Sequence, residues 1–263
     1  MKHTLSLHAL LNGHVTRLRF VKRFNTVLVT HPETVAEHSY YVSLYAMLIT
    51  RWYNCCTTKQ YSGSVADMGT VLQKCLLHDL DECRTGDFPR LFKYSDPVLK
   101  IALDHASNTA FREITGELYP DIDGSDMRTS LRVIWEEAKD NEVIEGRIVA
   151  FADYLAVLSF MYFENALSNP MMKDNRDSMV KYMLSFDKAD FDFLRPLVEE
   201  AHAITQEVFG TYRDHKAAVK NVRRLHKHPA GDGTGLGGSS KRSPRAQGKR
   251  SSPGLGFPDA RHA

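Results

Sequence analysis

The chain has 263 residues, 43% of them hydrophobic in type and 25% charged, a size and balance at which one globular domain can bury a full core, and this excludes wholesale disorder, collagen-like repeats and coiled-coil fibres. Its four cysteines, Cys55, Cys56, Cys75 and Cys83, include an adjacent pair and no CxxC spacing, so neither a disulfide framework nor a zinc ribbon is indicated and a reduced, cytoplasmic protein is expected. The net charge of +2 conceals two opposed regions: 12 of the 34 Lys and Arg but 3 of the 32 Asp and Glu lie from Arg213 onward, leaving the tail near +9 and the first 212 residues near −7.

Helical spacing recurs from residue 1 to about 212 without sustained alternation of apolar and polar residues, so the expected fold is all-α. The opening MKHTLSLHALLNGHVTRLRF lacks the pattern of a secretory signal, and the spacing predicts a first helix over Leu5 to Lys22. Pro32 and Glu33 fit the entry to a second helix from near Thr34 past SYYVSLYAMLITRWY, whose aromatics Trp52 and Tyr53 are read as exposed. A third helix is expected over Val65 to Asp81, before a turn at Thr85, Gly86, Asp87, Phe88 and Pro89. Pro97 opens a helix through VLKIALDHASNTAFREITGEL, closed by Pro120, Asp121, Asp123 and Gly124, and MRTSLRVIWEEAKD forms the next.

A long apolar helix follows from about Asn141 to Leu167. Its most apolar stretch, residues 148 to 163, is shorter than the roughly 20 residues of a membrane span and carries Asp153, so a buried helix and no membrane contact are expected. Two further helices are predicted over Asp174 to Ser185 and Lys188 to Lys220, which sets a helical domain over residues 1–220 and a tail over 221–263. After His228 the chain is rich in Gly, Ser, Pro and basic residues, with too little apolar surface to offset the entropy of ordering, and is expected to be disordered. Such a tail makes weak nucleic-acid contacts through counterion release, or is a solvated extension with no specific partner.

Position singles out a few of the twelve histidines. His78 and Asp79 directly follow the apolar run VLQKCLL, where two ionisable groups need a compensating partner. A divalent cation in a crevice between helices is such a partner. Asp153, alone in an apolar segment, must face something cationic; an arginine or a helix end would also serve. His38 lies in the first turns of an apolar helix, so three separated helices each bring a ligand type to a core-facing stretch. Glu82, four residues after His78 and three after Asp79, falls on their face if the helix continues, with Asp81 as a competing carboxylate.

His38, then His78 with Asp79, then Asp153, in this order and on helices, resembles the ligand set of the HD-domain metal-dependent phosphohydrolases. More narrowly, Arg23 through the EHS segment at 37–39, HDLDECRTGDFP at 78–89 and EGRIVAFAD at 145–153 resemble the YfbR-type 5'-deoxynucleotidases, over roughly residues 15 to 205. The resemblance implies an HD-domain helical bundle that hydrolyses deoxynucleoside 5'-monophosphates with a divalent ion (Co, Mn, Zn, Fe, Ni or Mg), and a homodimer. It further implies Glu82 as the catalytic acid–base, Arg23 and Lys93 as phosphate contacts and Asp87 near the sugar 3'-hydroxyl. A family acid near the site falls in the region of Glu137. Phe24 stands where the bacterial enzymes carry tryptophan, keeping an aromatic wall without an N–H donor. Two alternatives are a triphosphohydrolase of the same superfamily acting on deoxynucleoside triphosphates, and a non-enzymatic binding protein acting through its tail.

Overall fold

The computed structural model describes residues 5–57, 65–120, 126–138 and 142–209. The described residues are helical, with no strand and one isolated antiparallel bridge, Lys22 to Thr34. The expected tail, and the helix-closing residues Asp121, Asp123 and Gly124, lie outside the described residues.

The expected first helix is instead broken. Helix α1 spans Leu7–Asn12 and a 3-10 segment spans His14–Arg19. Gly13 separates them with extended backbone, its N–H donating to the Ala9 carbonyl. A Cβ at Gly13 would collide with that oxygen and sit 2.9 Å from the Glu117 carboxyl group.

Helix α2, Val35–Trp52, starts where the sequence places it: Thr34 accepts from the Glu37 N–H and Glu37 answers by accepting from the Thr34 N–H, a reciprocal cap that satisfies two otherwise orphaned donors. Tyr53 follows in a π-turn, Tyr53–Thr57, and is 2% exposed, edge-on to Phe193 at 5.2 Å. It is a core residue and not the exposed aromatic expected.

Helix α3, Met68–Leu77, is capped by Asp67 and stops four residues before the predicted end. From Leu77 to Arg84 the backbone tightens into i to i−3 bonds, Leu80 to Leu77, Glu82 to Asp79, Cys83 to Leu80 and Arg84 to Asp81, within which lies the short α4, Glu82–Thr85. The predicted turn then appears, with Gly86 at φ +78°, a conformation that disfavours side chains with a Cβ. After it come α5, Arg90–Lys93, and α6, Pro97–Leu118, with Pro97 in the first turn and Asp96 accepting from Val98 and Leu99.

Helix α7 spans Asp126–Ala138 and α8 spans Ile144–Phe163. Helix α8 is long and apolar enough to cross a membrane, with a mean hydropathy of 1.4, yet 61% of that window is buried inside the protein. It is the core helix, packed by α2 and α3 and by the two that follow, α9, Lys173–Met183, and α10, Arg195–Phe209. A helix this apolar is stable in this position because most of its length packs against these neighbours. Over its described part, the helix predicted from Lys188 to Lys220 is a 3-10 segment, Ala189–Leu194, followed by α10, where Pro196 fits the first turn; residues 210–220 lie outside the described residues. A second, smaller core joins Ala9, Leu80, Cys83, Phe111, Ile114, Leu118 and Trp135. It anchors α4 from behind, leaving the other side of the 78–85 segment to face α2 and α8. Cys55, Cys75 and Cys83 are free thiols.

Candidate metal centre

The reciprocal cap starts α2 at Val35, so His38 falls within its first turns, fully buried. His78 caps the end of α3 and its Nδ1 lies 2.6 Å from the Cys75 carbonyl. That bond fixes the ring and leaves the buried Nε2 facing the Asp79 carboxylate, 3.0 Å from its Oδ2. One ligand atom each from His38, His78 and Asp79 lies within 4.8 Å of the other two. Asp153 comes from the middle of α8, its Oδ1 3.0 Å from His38 Nε2 and its Oδ2 3.4 Å from the Tyr182 hydroxyl. Asp153 therefore faces an imidazole and a tyrosine; the arginine that could have neutralised it, Arg23, reaches Asp79 instead, at 3.4 Å.

The electrostatics of this cluster favour a cation. Burial works against charge on His78, but Asp79 and Asp153 outweigh it and push the imidazole up to about 9. Burial and the Arg23 guanidinium push His38 down to about 4, so it is neutral and suited to ligation. Asp79 and Asp153 are both held below the ordinary carboxylate value despite burial, chiefly by His78 for the first and His38 for the second. Two imidazoles and two carboxylates that remain ionised fit a first-row divalent ion better than calcium. The buried His78 Nε2 already lies 3.0 Å from Asp79 Oδ2, so the imidazole and the neighbouring carboxylate converge on one point.

Glu82 reaches the cluster by a different route from the one its spacing suggests. The α-helix has ended, and in the tighter i to i−3 turns residues three apart eclipse, which aligns Glu82 with Asp79. Its carboxyl is buried, one oxygen makes no hydrogen bond among the described residues, and burial with Asp79 and Asp87 raises its pKa well above the ordinary value. The competing carboxylate, Asp81, points away and accepts from the Trp135 indole N–H at 3.2 Å.

Beside the cluster opens a cleft whose lining includes Arg23, Phe24, Asp79, Glu82, Asp87, Lys93 and Asp153. Seven of the residues nominated from the sequence line this cleft, while the two nominated histidines, His38 and His78, are buried beside Asp153 and Asp79. Burial raises the Asp87 carboxyl while Arg23 and Lys93 oppose the shift. Phe24 lies flat on Phe160, centroids 4.8 Å apart, with a left-handed φ of 53°. That conformation costs about 1–3 kcal/mol in a non-glycine residue and marks backbone strain at the cleft. Glu137 does not line the cleft; it is half-exposed and 3.5 Å from the buried Lys74 Nζ.

Three contributors escaped the sequence reading. Glu33, 8% exposed, places Oε2 3.5 Å from Arg23 Nε and 3.9 Å from His38 Nδ1, and burial pushes it up to about 7 against the pull of Arg23. Tyr182, on α9, donates to the Ala150 carbonyl as well as to Asp153. Arg90 stacks over the Tyr182 ring at 4.4 Å. Glu33 had a local signal, five residues before His38 and ten after Arg23; Tyr182 and Arg90 had none, since their contacts cross from α9 to α8 and from α5 to α9.

The family described as 5'-deoxynucleotidase YfbR-like matches residues 11–200 of this chain. A protein described as the 5'-deoxynucleotidase yfbR of Photorhabdus temperata is 26% identical over 143 residues, covering 54% of this chain and 67% of that protein. Among solved structures, an HD-domain phosphohydrolase from Listeria innocua superposes with a TM-score of 0.51 at 20% identity, covering 76% of this chain and 99% of that one. A protein from Magnetospirillum magnetotacticum described as a predicted metal-dependent phosphohydrolase gives 0.52 at 19% identity, covering 82% and 93%. These structural likenesses show a shared helical fold.

Proposed function

We propose that this chain, which belongs to the YfbR-like 5'-deoxynucleotidase family, hydrolyses deoxynucleoside 5'-monophosphates to deoxynucleoside and inorganic phosphate in the cleft beside His38, His78, Asp79 and Asp153. The observation that carries the reading is the approach of His38, His78 and Asp79 to within 4.8 Å of one another, next to Asp153 and against a cleft lined by Asp79, Asp153, a glutamate and basic residues that include Arg23 and Lys93. These four residues would hold the divalent cation, of which Co, Mn, Zn, Fe, Ni and Mg are the candidates. A cation held there neutralises phosphoryl charge and acidifies water.

The chain's own residues do the rest. Arg23 offers a guanidinium fork to two phosphoryl oxygens, and Lys93, which lines the same cleft, adds a point charge. Glu82 takes a proton from the attacking water, and its raised pKa makes it a strong base once ionised. The same acid then returns the proton to the departing 5'-oxygen of the sugar. Asp87 accepts from the 3'-hydroxyl, and the Phe24 ring forms an apolar wall backed by Phe160.

The reading includes a cytoplasmic enzyme that pairs with a second copy of itself. Tyr40, Tyr41 and Phe163, 62%, 44% and 78% exposed along α2 and α8, supply an apolar face for that pairing, and light scattering of the eluted protein measures it.

A panel of deoxynucleoside mono-, di- and triphosphates, with phosphate and triphosphate measured separately, tests the activity. Phosphate from the monophosphates is expected; triphosphate from the triphosphates would replace this reading with the triphosphohydrolase. Removing the chain after residue 228 is expected to leave the rate within about twofold, since every residue given a role in the reaction precedes it. Loss of activity on truncation, with activity retained in His78→Ala, would point to the binding-protein alternative.

A further inference from the structure

Glu33 is a buried carboxylate that nothing in the reaction above uses. It does not cap α2, because Thr34 and Glu37 do so between themselves. Its position is set by the backbone. The Arg23 N–H donates to the Glu33 carbonyl at 2.9 Å, the Val35 N–H donates to the Val21 carbonyl at 3.0 Å, and Lys22 bridges Thr34. This short antiparallel pairing lays Arg23 beside Glu33, and the cap that follows at once sets His38 one helical turn further on. The Glu33 Oε2 consequently lies between Arg23 Nε, at 3.5 Å, and His38 Nδ1, at 3.9 Å. All three atoms are buried, and none has a hydrogen-bond partner among the described residues.

Three facing polar atoms of complementary type, each otherwise unsatisfied, form a relay more economically explained by function than by folding. A buried carboxylate placed purely for stability would be hydrogen-bonded, because burial without partners is costly. The His38 ring supplies the link. Its Nε2 points toward Asp153 and the cation site, so ligation there requires the tautomer that carries its proton on Nδ1, the nitrogen facing Glu33. That N–H then donates to Oε2 once the pair closes to about 3 Å. A carboxylate accepting from the far nitrogen of a ligating imidazole orients the ring and raises its basicity. The other flank of the same oxygen accepts from Arg23 Nε–H, leaving the terminal nitrogens of Arg23 for Asp79 and for phosphate.

We infer that Glu33 is a positioning residue that ties the cation-binding His38 to the phosphate-binding Arg23, so that cation and phosphate each bind more tightly when the other is present. The inference rests on the cation site and the Arg23 role proposed above.

The test uses the full chain freed of metal with a chelator and titrated with Co²⁺, in the parent, Glu33→Gln and Glu33→Asp, with and without inorganic phosphate. Glu33→Gln is expected to raise the cobalt Kd about ten- to a hundredfold and to shift the visible cobalt absorption. It should also abolish the tightening of cobalt binding by phosphate, and raise KM more than it lowers kcat. Glu33→Asp, which keeps the charge at shorter reach, should recover part of the cobalt affinity. If Glu33→Gln fails to fold by circular dichroism, the Asp variant carries the comparison, with an intermediate Kd expected. Parental cobalt affinity and spectrum in a folded Gln or Asp variant would overturn the inference, even with a raised KM, since Glu33 would then be a counterion to Arg23 alone. A parent that binds cobalt yet releases no phosphate from monophosphates refutes the proposed activity while leaving the cobalt comparison to decide on Glu33. A parent that binds no cobalt overturns both.

Discussion

Replacing His78 with alanine is expected to lower turnover of a deoxynucleoside 5'-monophosphate by about a thousandfold or more and to strip the protein of its divalent ion. The expected size follows from what a cation contributes to phosphoryl transfer, several kcal/mol of charge stabilisation, with each 1.36 kcal/mol worth a factor of ten. His78 is the most exacting of the four proposed ligands to replace. Its Nδ1 is already engaged by the Cys75 carbonyl at 2.6 Å, which fixes the ring, and its buried Nε2 lies 3.0 Å from Asp79 Oδ2, so the lone pair is held at the cluster. Its loss also leaves Asp79 and Asp153 without the imidazole that helps hold both of them ionised. The metal-free variant should therefore melt earlier than the metal-free parent at neutral pH. Elemental analysis of purified protein together with phosphate release measures both effects. Stoichiometric metal and a rate within tenfold of the parent would move the reaction centre elsewhere.

Glu82→Gln should separate chemistry from binding. The amide cannot accept a proton from water, so kcat is expected to fall by about 10²–10⁴-fold, while metal content and KM stay close to the parent. Stability should change in the opposite direction from activity. Burial beside Asp79 and Asp87 raises the Glu82 pKa well above its ordinary 4.5. As pH rises past that value the unfolded chain releases the proton while the fold retains it. Metal-free stability thus falls by about 1.4 kcal/mol per pH unit until the folded pKa is reached. Glutamine is neutral throughout and escapes this loss. In chelator-treated protein the variant and parent should melt at similar temperatures near pH 4.5, with the variant increasingly the more stable as pH rises to 8. Equal melting curves across that range would mean that Glu82 is not held in a raised-pKa environment, and an unimpaired kcat would remove it from proton transfer.

Both effects depend on features of different legibility. The helical class, the α2 start at Thr34, the Pro97 helix start and the turn at Gly86 were readable because caps, proline and glycine act within a few residues of where they stand. The order His38, His78–Asp79, Asp153 was readable for a related reason: ionisable residues in apolar stretches violate the local pattern and demand an explanation.

What the chain alone determined, then, was which residues are out of place in a core and which segments form helices. How those residues meet depended on the packing of the folded chain. Sequence spacing puts Glu82 on one face with Asp79 through a continuous α-helix, whereas the alignment arises from tightened turns after α3 ends. Asp81 offers the same chemistry as Glu82 in sequence, and the choice between them comes from Trp135, 54 residues away, which claims Asp81 by a hydrogen bond. Gly13 interrupts a helix whose periodicity is sound, and a side chain there is excluded by the Ala9 carbonyl as well as by Glu117 on α6. Tyr182 and Glu33 acquire their roles from a partner on another helix or on the far side of a two-residue bridge. Periodicity reports on neighbours along the chain, whereas the satisfaction of a buried polar group is settled by whichever atoms the packing brings within about 3 Å of it.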